Sequence, residues 1–292
     1  MSREITDGPF LASDGLWTHM GHAILMFQKR WGTPSWVGIS LPVTTSRMAL
    51  DRIQVGCCGF PVARKSYYEH FGLVEIQQTF YHLPEISTAA RWRAEAPQGF
   101  RFTMKAWQLI THEPTSPTYR RLRRKIPEAD QERYGAFRPT GEVRRAWLDT
   151  LAFAEEVGAM VVVFQCPASF TPTDEHVSNL RRFFRWAPRG KRVFVWEPRG
   201  NWPQDLILEL CRELDLVHCV DPFRSVPLWS PGLSYWRLHG IGGWRHQYRE
   251  EELEDLFQRA SSMKVMTYCL FNNATSYQDA LRFQERVRHR QQ

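Results

Sequence analysis

A chain of 292 residues with 43% hydrophobic and 24% charged side chains has the composition of a globular protein, which argues against long disordered stretches. Its net charge of +7, mostly arginine, favours acidic or phosphorylated partners. Six cysteines are too few for a disulfide scaffold, no C-x-x-C pair suggests zinc or thioredoxin-like chemistry, and the count points to a reducing, cytoplasmic setting.

Residues 1–47 show neither helical nor strand periodicity and read as an irregular N-terminal extension, with the folded domain spanning 48–292. One expectation is that translation starts at Met48. The apolar run Ala23 to Phe27 is far too short to span a membrane. Glu4, Asp7 and Asp14 precede it, where a secretory signal needs positive charge, so no membrane association is expected.

From Ile53 onward, short β-branched runs alternate with amphipathic segments, the pattern of successive βα units around a parallel sheet. The runs are Ile53 to Gly59, Val74 to Phe80, Arg101 to Lys105, Met160 to Gln165, Arg192 to Glu197, Val217 to Asp221, Ser234 to His239 and Val265 to Asn272. Eight strands in one domain of this length predict a single (β/α)8 TIM barrel in the α/β class. Ser87 is expected to cap the helix running to Ala96. Gly158 is expected to end the helix carrying Val143, Trp147, Leu151 and Ala154, and Thr173 and Pro203 to open two more. The segment Trp107 to Gly141 is a long insertion, a candidate lid or binding loop, and Pro222 to Gly232 lacks a full helix.

Side chains alternate along a strand, so one parity faces the barrel interior. On that parity lie Glu75 with Gln77 and Thr79, Thr103 with Lys105, Val163 with Gln165, Glu197 with Arg199, Cys219 with Asp221, and Arg237 with His239. Most of the polar ones sit at C-terminal strand ends, where barrel enzymes keep their active sites. Glu197, Asp221 and His239 end three consecutive strands. Such a trio suits either a divalent metal or general acid/base work by Glu197 and His239. Lys105, Arg199 and Arg237 suit an anionic group on a substrate. Glu75, nearer the start of its strand, needs a buried cationic partner, with Lys105 the first candidate and Arg199 the second. It reads equally as structural or catalytic. Cys57, Cys58, Cys166, Cys219 and Cys269 read as small core residues rather than metal ligands. Gly56 and Gly59 offer a weak signal of close ligand approach.

At these positions the chain resembles the YecE-like family, domain of unknown function seventy-two. The matching phrases are Val74-Glu75-Ile76 with Thr79-Phe80-Tyr81, Phe102 with Lys105, Ile110-Thr111-His112, and Phe164-Gln165 with Pro167. They continue with Glu197, Arg199 and Trp202, then Arg237-Leu238-His239-Gly240 and Phe271-Asn272-Asn273. The resemblance implies a TIM barrel. It also adds Tyr81, His112, Asn272 and Asn273 to the expected pocket of Glu75, Lys105, Gln165, Glu197, Arg199, Asp221, Arg237 and His239. Gln77-Gln78 stands where Asn-Ser is common, Cys57-Cys58 where a Ser-Gly type sequence is frequent, and Gly200 where a histidine often follows the arginine.

The leading expectation is therefore a hydrolase or isomerase acting on a phosphorylated or otherwise anionic substrate. Glu197, His239, Asp221 and Glu75 would carry the chemistry; Lys105, Arg199, Arg237, Tyr81, His112, Gln165, Asn272 and Asn273 would bind substrate. A second is nucleic-acid processing. There Arg120, Arg121, Arg123, Arg124 and Lys125, with Arg282, Arg286, Arg288 and Arg290, would hold phosphates while Trp107, Trp229 and Trp244 stack on bases. Exposed, solvated faces are the plainer reading of both basic runs. A third is a non-enzymatic ligand-binding barrel.

Overall fold

The computed structural model describes residues 52–123 and 125–290. The expected extension at 1–47, Met48 and Arg124 of the basic run lie outside the described residues. Eight strands alternate with helices: β1 (Ile53–Cys58), β2 (Leu73–Ile76), β3 (Arg101–Lys105), β4 (Ala159–Gln165), β5 (Val193–Glu197), β6 (Leu216–His218), β7 (Leu233–Leu238) and β8 (Met266–Phe271). All pairings are parallel, in the order β6-β5-β4-β3-β2-β1-β8-β7. The two edges meet at a bridge between Val220 and Trp236. There the Val220 amide donates to Tyr235 O at 3.3 Å and the Arg237 amide to Val220 O at 2.9 Å. The sheet thus closes into a (β/α)8 barrel.

Alternation along each strand sorts the side chains into two cores. Leu73, Val161, Val163, Val195, Val217, Cys219, Leu233, Tyr235 and Leu270 fill the barrel interior. Their strand neighbours Val162, Phe164, Phe194 and Trp196 point outward, into the larger core shared with the helices. The helix Gly141–Val157 starts where Thr140 Oγ1 accepts from the Val143 amide and ends at Gly158, in the left-handed conformation at φ 71°. Asp174–Trp186 starts in the same way, with Thr173 accepting from the His176 amide.

Three local expectations are corrected. β2 ends at Ile76 rather than Phe80, because Gln78–Tyr81 forms a helical turn. Thr79 leaves the strand face, and its hydroxyl donates to Lys105 O at 2.8 Å. Ser87 lies inside a helix that already begins at Ile86, without a side-chain cap. β6 has three residues, and the chain beyond it, which lacks a helix as expected, is tied back by the Leu228 amide donating to His218 Nδ1 at 3.2 Å.

The long insertion carries short helical turns at Gln108–Thr111, Pro117–Arg121 and Glu128–Arg133. Phe137 anchors it, fully buried against Phe164, Phe170, Phe183 and Phe184. The C-terminal arginines are largely engaged with other parts of the chain. Arg282 and Arg286 pair with Glu250, Arg286 and Arg290 with Glu254, and Arg288 donates to His70 O. All six cysteines are free thiols; of those read as core residues Cys57, Cys166, Cys219 and Cys269 are buried, whereas Cys58 is half-buried. Among the described residues, no helix is long and apolar enough to cross a membrane.

Gly56 serves the barrel rather than a ligand: a Cβ there would lie 2.3 Å from Leu73 O on the neighbouring strand. Gly56→Ala must therefore push β1 from β2, at a cost of about 1–3 kcal/mol. Its thermal midpoint should fall by several degrees. An unchanged midpoint would show that the strands yield freely there.

Candidate active site

The C-terminal ends of the strands enclose a cavity of about 690 Å³. β3 delivers Lys105 to it, β4 Gln165, and β5 Glu197 with Arg199 just beyond; the chain after β6 brings Asp221, β7 brings Arg237 with His239 just beyond, and Asn272 follows β8. Tyr81 and His112 join from the helical turns after β2 and β3.

Arg237 is the hub. Its side chain is 1% exposed, and it grips two carboxylates on opposite sides. Nε lies 3.1 Å from both oxygens of Glu75 and Nη2 lies 3.0 Å from Oε1; Nη1 donates to Glu197 Oε2 at 2.6 Å and to Gln165 Oε1 at 3.2 Å. Burial opposes the arginine's charge, yet Glu197 and Glu75 raise its pKa well above the ordinary value. Glu75 is fully buried beneath the cavity, and also accepts from Tyr235 Oη at 2.8 Å and from the Gln77 amide. Its cationic partner is thus Arg237, not Lys105 or Arg199. β7 faces β2 across the barrel, a pairing that strand order alone does not suggest.

Burial raises the Glu197 pKa, but Arg237, Arg199, His239 and Lys105 outweigh it and bring the carboxyl down to about 2. Arg199 donates from Nε to Glu197 Oε1 at 2.9 Å, and its Nη2 lies 2.6 Å from His239 Nε2. A guanidinium can only donate, so Nε2 accepts and the ring proton sits on Nδ1, which faces Asp221 Oδ2 at 3.7 Å. Asp221 is held in turn by the backbone amides of Phe223 and His239 at 3.1 and 3.0 Å. Burial would raise its pKa, but the His239 ring and these amides lower it.

Lys105 Nζ donates to Gln165 Oε1 at 2.8 Å and lies 3.7 Å above the Phe80 ring. Burial and the Arg237 charge pull its pKa down to about 7, against partial opposition from Glu75 and Glu197. His112 is held neutral by burial and by Lys105 and Arg199, with a pKa of about 3. Its Nδ1 pairs with Thr111 Oγ1.

Asn273 is turned away from the cavity: its amide donates to His246 O, Thr275 Oγ1 and Asp279 Oδ2. Adjacent residues past a strand take opposite faces, so Asn272 and Asn273 divide between the cavity and the loop scaffold. The trio Glu197, Asp221 and His239 does converge. However, arginines occupy Glu197, and no group of three or more ligating side chains among the described residues is arranged to hold a metal.

Several lining residues escaped the sequence reading. Arg224 follows Asp221 by one turn and approaches it at 3.9 Å. His218 lies on the parity opposite Asp221, so alternation hides it; burial lowers its pKa to about 4 although Glu197 opposes this. Gln77, expected on the parity of Glu75, also lines the cavity. Trp244, 64% exposed, lines the rim, whereas Trp107 and Trp229 are half-buried. Gly200 leaves no room for a side chain, because even a Cβ there would sit 2.3 Å from Phe170 O.

Residues 63–292 match the model of a family described as a protein of unknown function, DUF72. The chain belongs to this family. A DUF72 family protein from Enterococcus faecalis V583 superposes with a TM-score of 0.60 at 22% identity, covering 81% of this chain and 97% of that one. Another, from Thermotoga maritima MSB8, gives 0.56 at 21% identity over 81% and 99%. A xylose isomerase domain containing protein from Salmonella typhimurium LT2 gives 0.50 at 15% identity over 86% and 97%. At these identities the likeness shows the shared barrel. A comparison with curated proteins finds no match.

Glu197 carries a sign that can be measured. Its folded pKa of about 2 lies below the ordinary 4.5, so its ionised form stabilises the fold fully above 4.5 and loses that contribution as pH falls toward 2. Wild-type stability should decline through this window, and the decline should be shallower in Glu197→Gln. Parallel declines in the two proteins would contradict the arginine clamp.

Proposed function

We propose that this DUF72 protein is an enzyme that acts on a phosphorylated or otherwise anionic small molecule by acid/base chemistry. The observation that carries the reading is the charge of the mouth. Lys105, Arg199, Arg224 and Arg237 meet Glu197 and Asp221 on the cavity wall, with Glu75 beneath, and Arg199 and Arg224 reach solvent with 39% and 58% of their side-chain surface exposed. An entering phosphate or carboxylate gives these two guanidiniums a bidentate partner.

His239 is the group we assign to proton transfer. Asp221 orients it and Arg199 occupies its Nε2 lone pair in the resting arrangement. When Arg199 turns to the substrate anion, that lone pair becomes a base beside the bound molecule, so binding and activation are one event. Glu197, ionised and held by two arginines, then serves to position Arg199 and Arg237 rather than to shuttle the proton itself. Hydrolysis and isomerisation both fit this apparatus. Should a divalent metal take part, Glu197, Asp221 and His239 would have to release their present partners first.

A second reading, nucleic-acid processing, is favoured by two features of the rim. The exposed Trp244 can stack on a base, and Arg121 lies 3.7 Å over the Tyr81 ring beside the mouth. The ion pairs of the C-terminal arginines leave that second basic run less available for phosphates.

Inorganic phosphate should raise the thermal midpoint of the wild type, and Arg199→Gln should weaken its binding by about tenfold, or about 1.4 kcal/mol. Calorimetric titration checks this directly. Equal affinity in the two proteins would remove the anion site, whereas tight binding of short DNA at low salt that vanishes as salt rises would favour the second reading.

A further inference from the structure

Lys105 is the one lysine among the described residues that line the cavity, and its surroundings are unusual for an anchoring cation. Its direct partners are an amide oxygen, Gln165 Oε1, and the face of Phe80. The carboxylates nearby are committed elsewhere. Glu75 is taken by Arg237, Tyr235 and Gln77, and Glu197 by Arg237 and Arg199. Lys105 is only 5% exposed yet borders a cavity large enough for a small metabolite, and its amine has no carboxylate to itself.

We propose that Lys105 is a nucleophile that condenses with a carbonyl group of the anionic substrate, forming an imine, so that the substrate class is a phosphorylated or carboxylated aldehyde or ketone. This rests on the anion-binding reading of the same cavity. A lysine can attack only as its neutral amine, and an amine in an apolar setting beside another cation is a known way to obtain one at neutral pH. Burial and the Arg237 charge do this here, lowering the pKa to about 7.

The step balances without a further reagent. The nitrogen lone pair forms the C–N bond while the carbonyl π pair moves to oxygen; oxygen gains a proton and nitrogen loses one. The resulting hydroxyl takes a second proton, from solvent, and leaves as water. The nitrogen lone pair then closes the C=N bond, giving a protonated imine that withdraws electrons from the adjacent carbon. His239 is the base available to remove a proton from that carbon.

Incubation of the intact protein at pH 7 with glyceraldehyde 3-phosphate and sodium cyanoborohydride tests the proposal, with unphosphorylated glyceraldehyde in a parallel arm. Reduction fixes the imine as a secondary amine, and each event adds the mass of the probe less one oxygen atom. The sequence has six lysines, so peptide mapping resolves them. The expected result is labelling of Lys105 at least about tenfold faster than of any other lysine, since ordinary lysines are almost wholly protonated at this pH. The phosphorylated probe should be the faster of the two, and Lys105→Arg should remove the fast label with circular dichroism unchanged. The mapping on wild type decides the matter even if that variant fails to fold. Equal labelling by both probes keeps the amine chemistry but contradicts the anion site. No preference for Lys105 with either probe overturns the proposal, and the anion reading then stands or falls on phosphate binding alone.

Discussion

A single guanidinium, that of Arg237, ties three strands together inside this barrel. It rises from β7, crosses the interior to the Glu75 carboxylate on β2, and reaches Glu197 at the end of β5. Burying one cation and two carboxylates costs several kcal/mol per ion, and the attraction between them repays this only when every lone pair and proton is matched. Here Tyr235, Gln77 and Gln165 supply the remaining hydrogen bonds. The apolar interior below, from Leu73 to Leu270, provides the rigid floor on which the cluster rests.

The same arrangement sets the chemistry of the mouth. With Arg237 and Arg199 on Glu197, that carboxylate stays ionised far below neutral pH. With both carboxylates committed to arginines, Lys105 is left next to positive charge and away from water, and its proton becomes loosely held. Arg199 links the clamp to His239, whose other nitrogen faces Asp221. On the proposed reading, an anion that drew Arg199 away would alter Glu197 and His239 together, because both are its partners. An apolar interior would hold the barrel as well, so stability alone does not account for the cluster.

Much of this was legible in the chain itself. Period-two alternation separated Val161 and Val163 from Val162 and Phe164, and the same parity brought Lys105, Gln165, Glu197, Asp221, Arg237 and His239 to one cavity. Thr173 and Gly158 marked helix ends because their signals are local. Contacts across the barrel were not legible. Parity says that Glu75 faces inward, but not that its partner lies 162 residues away on β7. Local competition also intervened. The turn at Gln78–Tyr81 cut β2 short, and the short β6 let His218 reach the cavity from the unexpected parity. Asn273 shows the converse, a family-matched residue drawn into the loop by Asp279.

The central claim is that Glu75 and Arg237 are mutually dependent, and a double-mutant cycle on their unfolding free energies measures it most directly. Arg237→Met alone leaves a buried carboxylate without its cation and should cost about 3–5 kcal/mol. Adding Glu75→Gln should recover most of that loss, giving a strongly non-additive cycle. A mild effect of Arg237→Met, or two effects that simply add, would contradict the account.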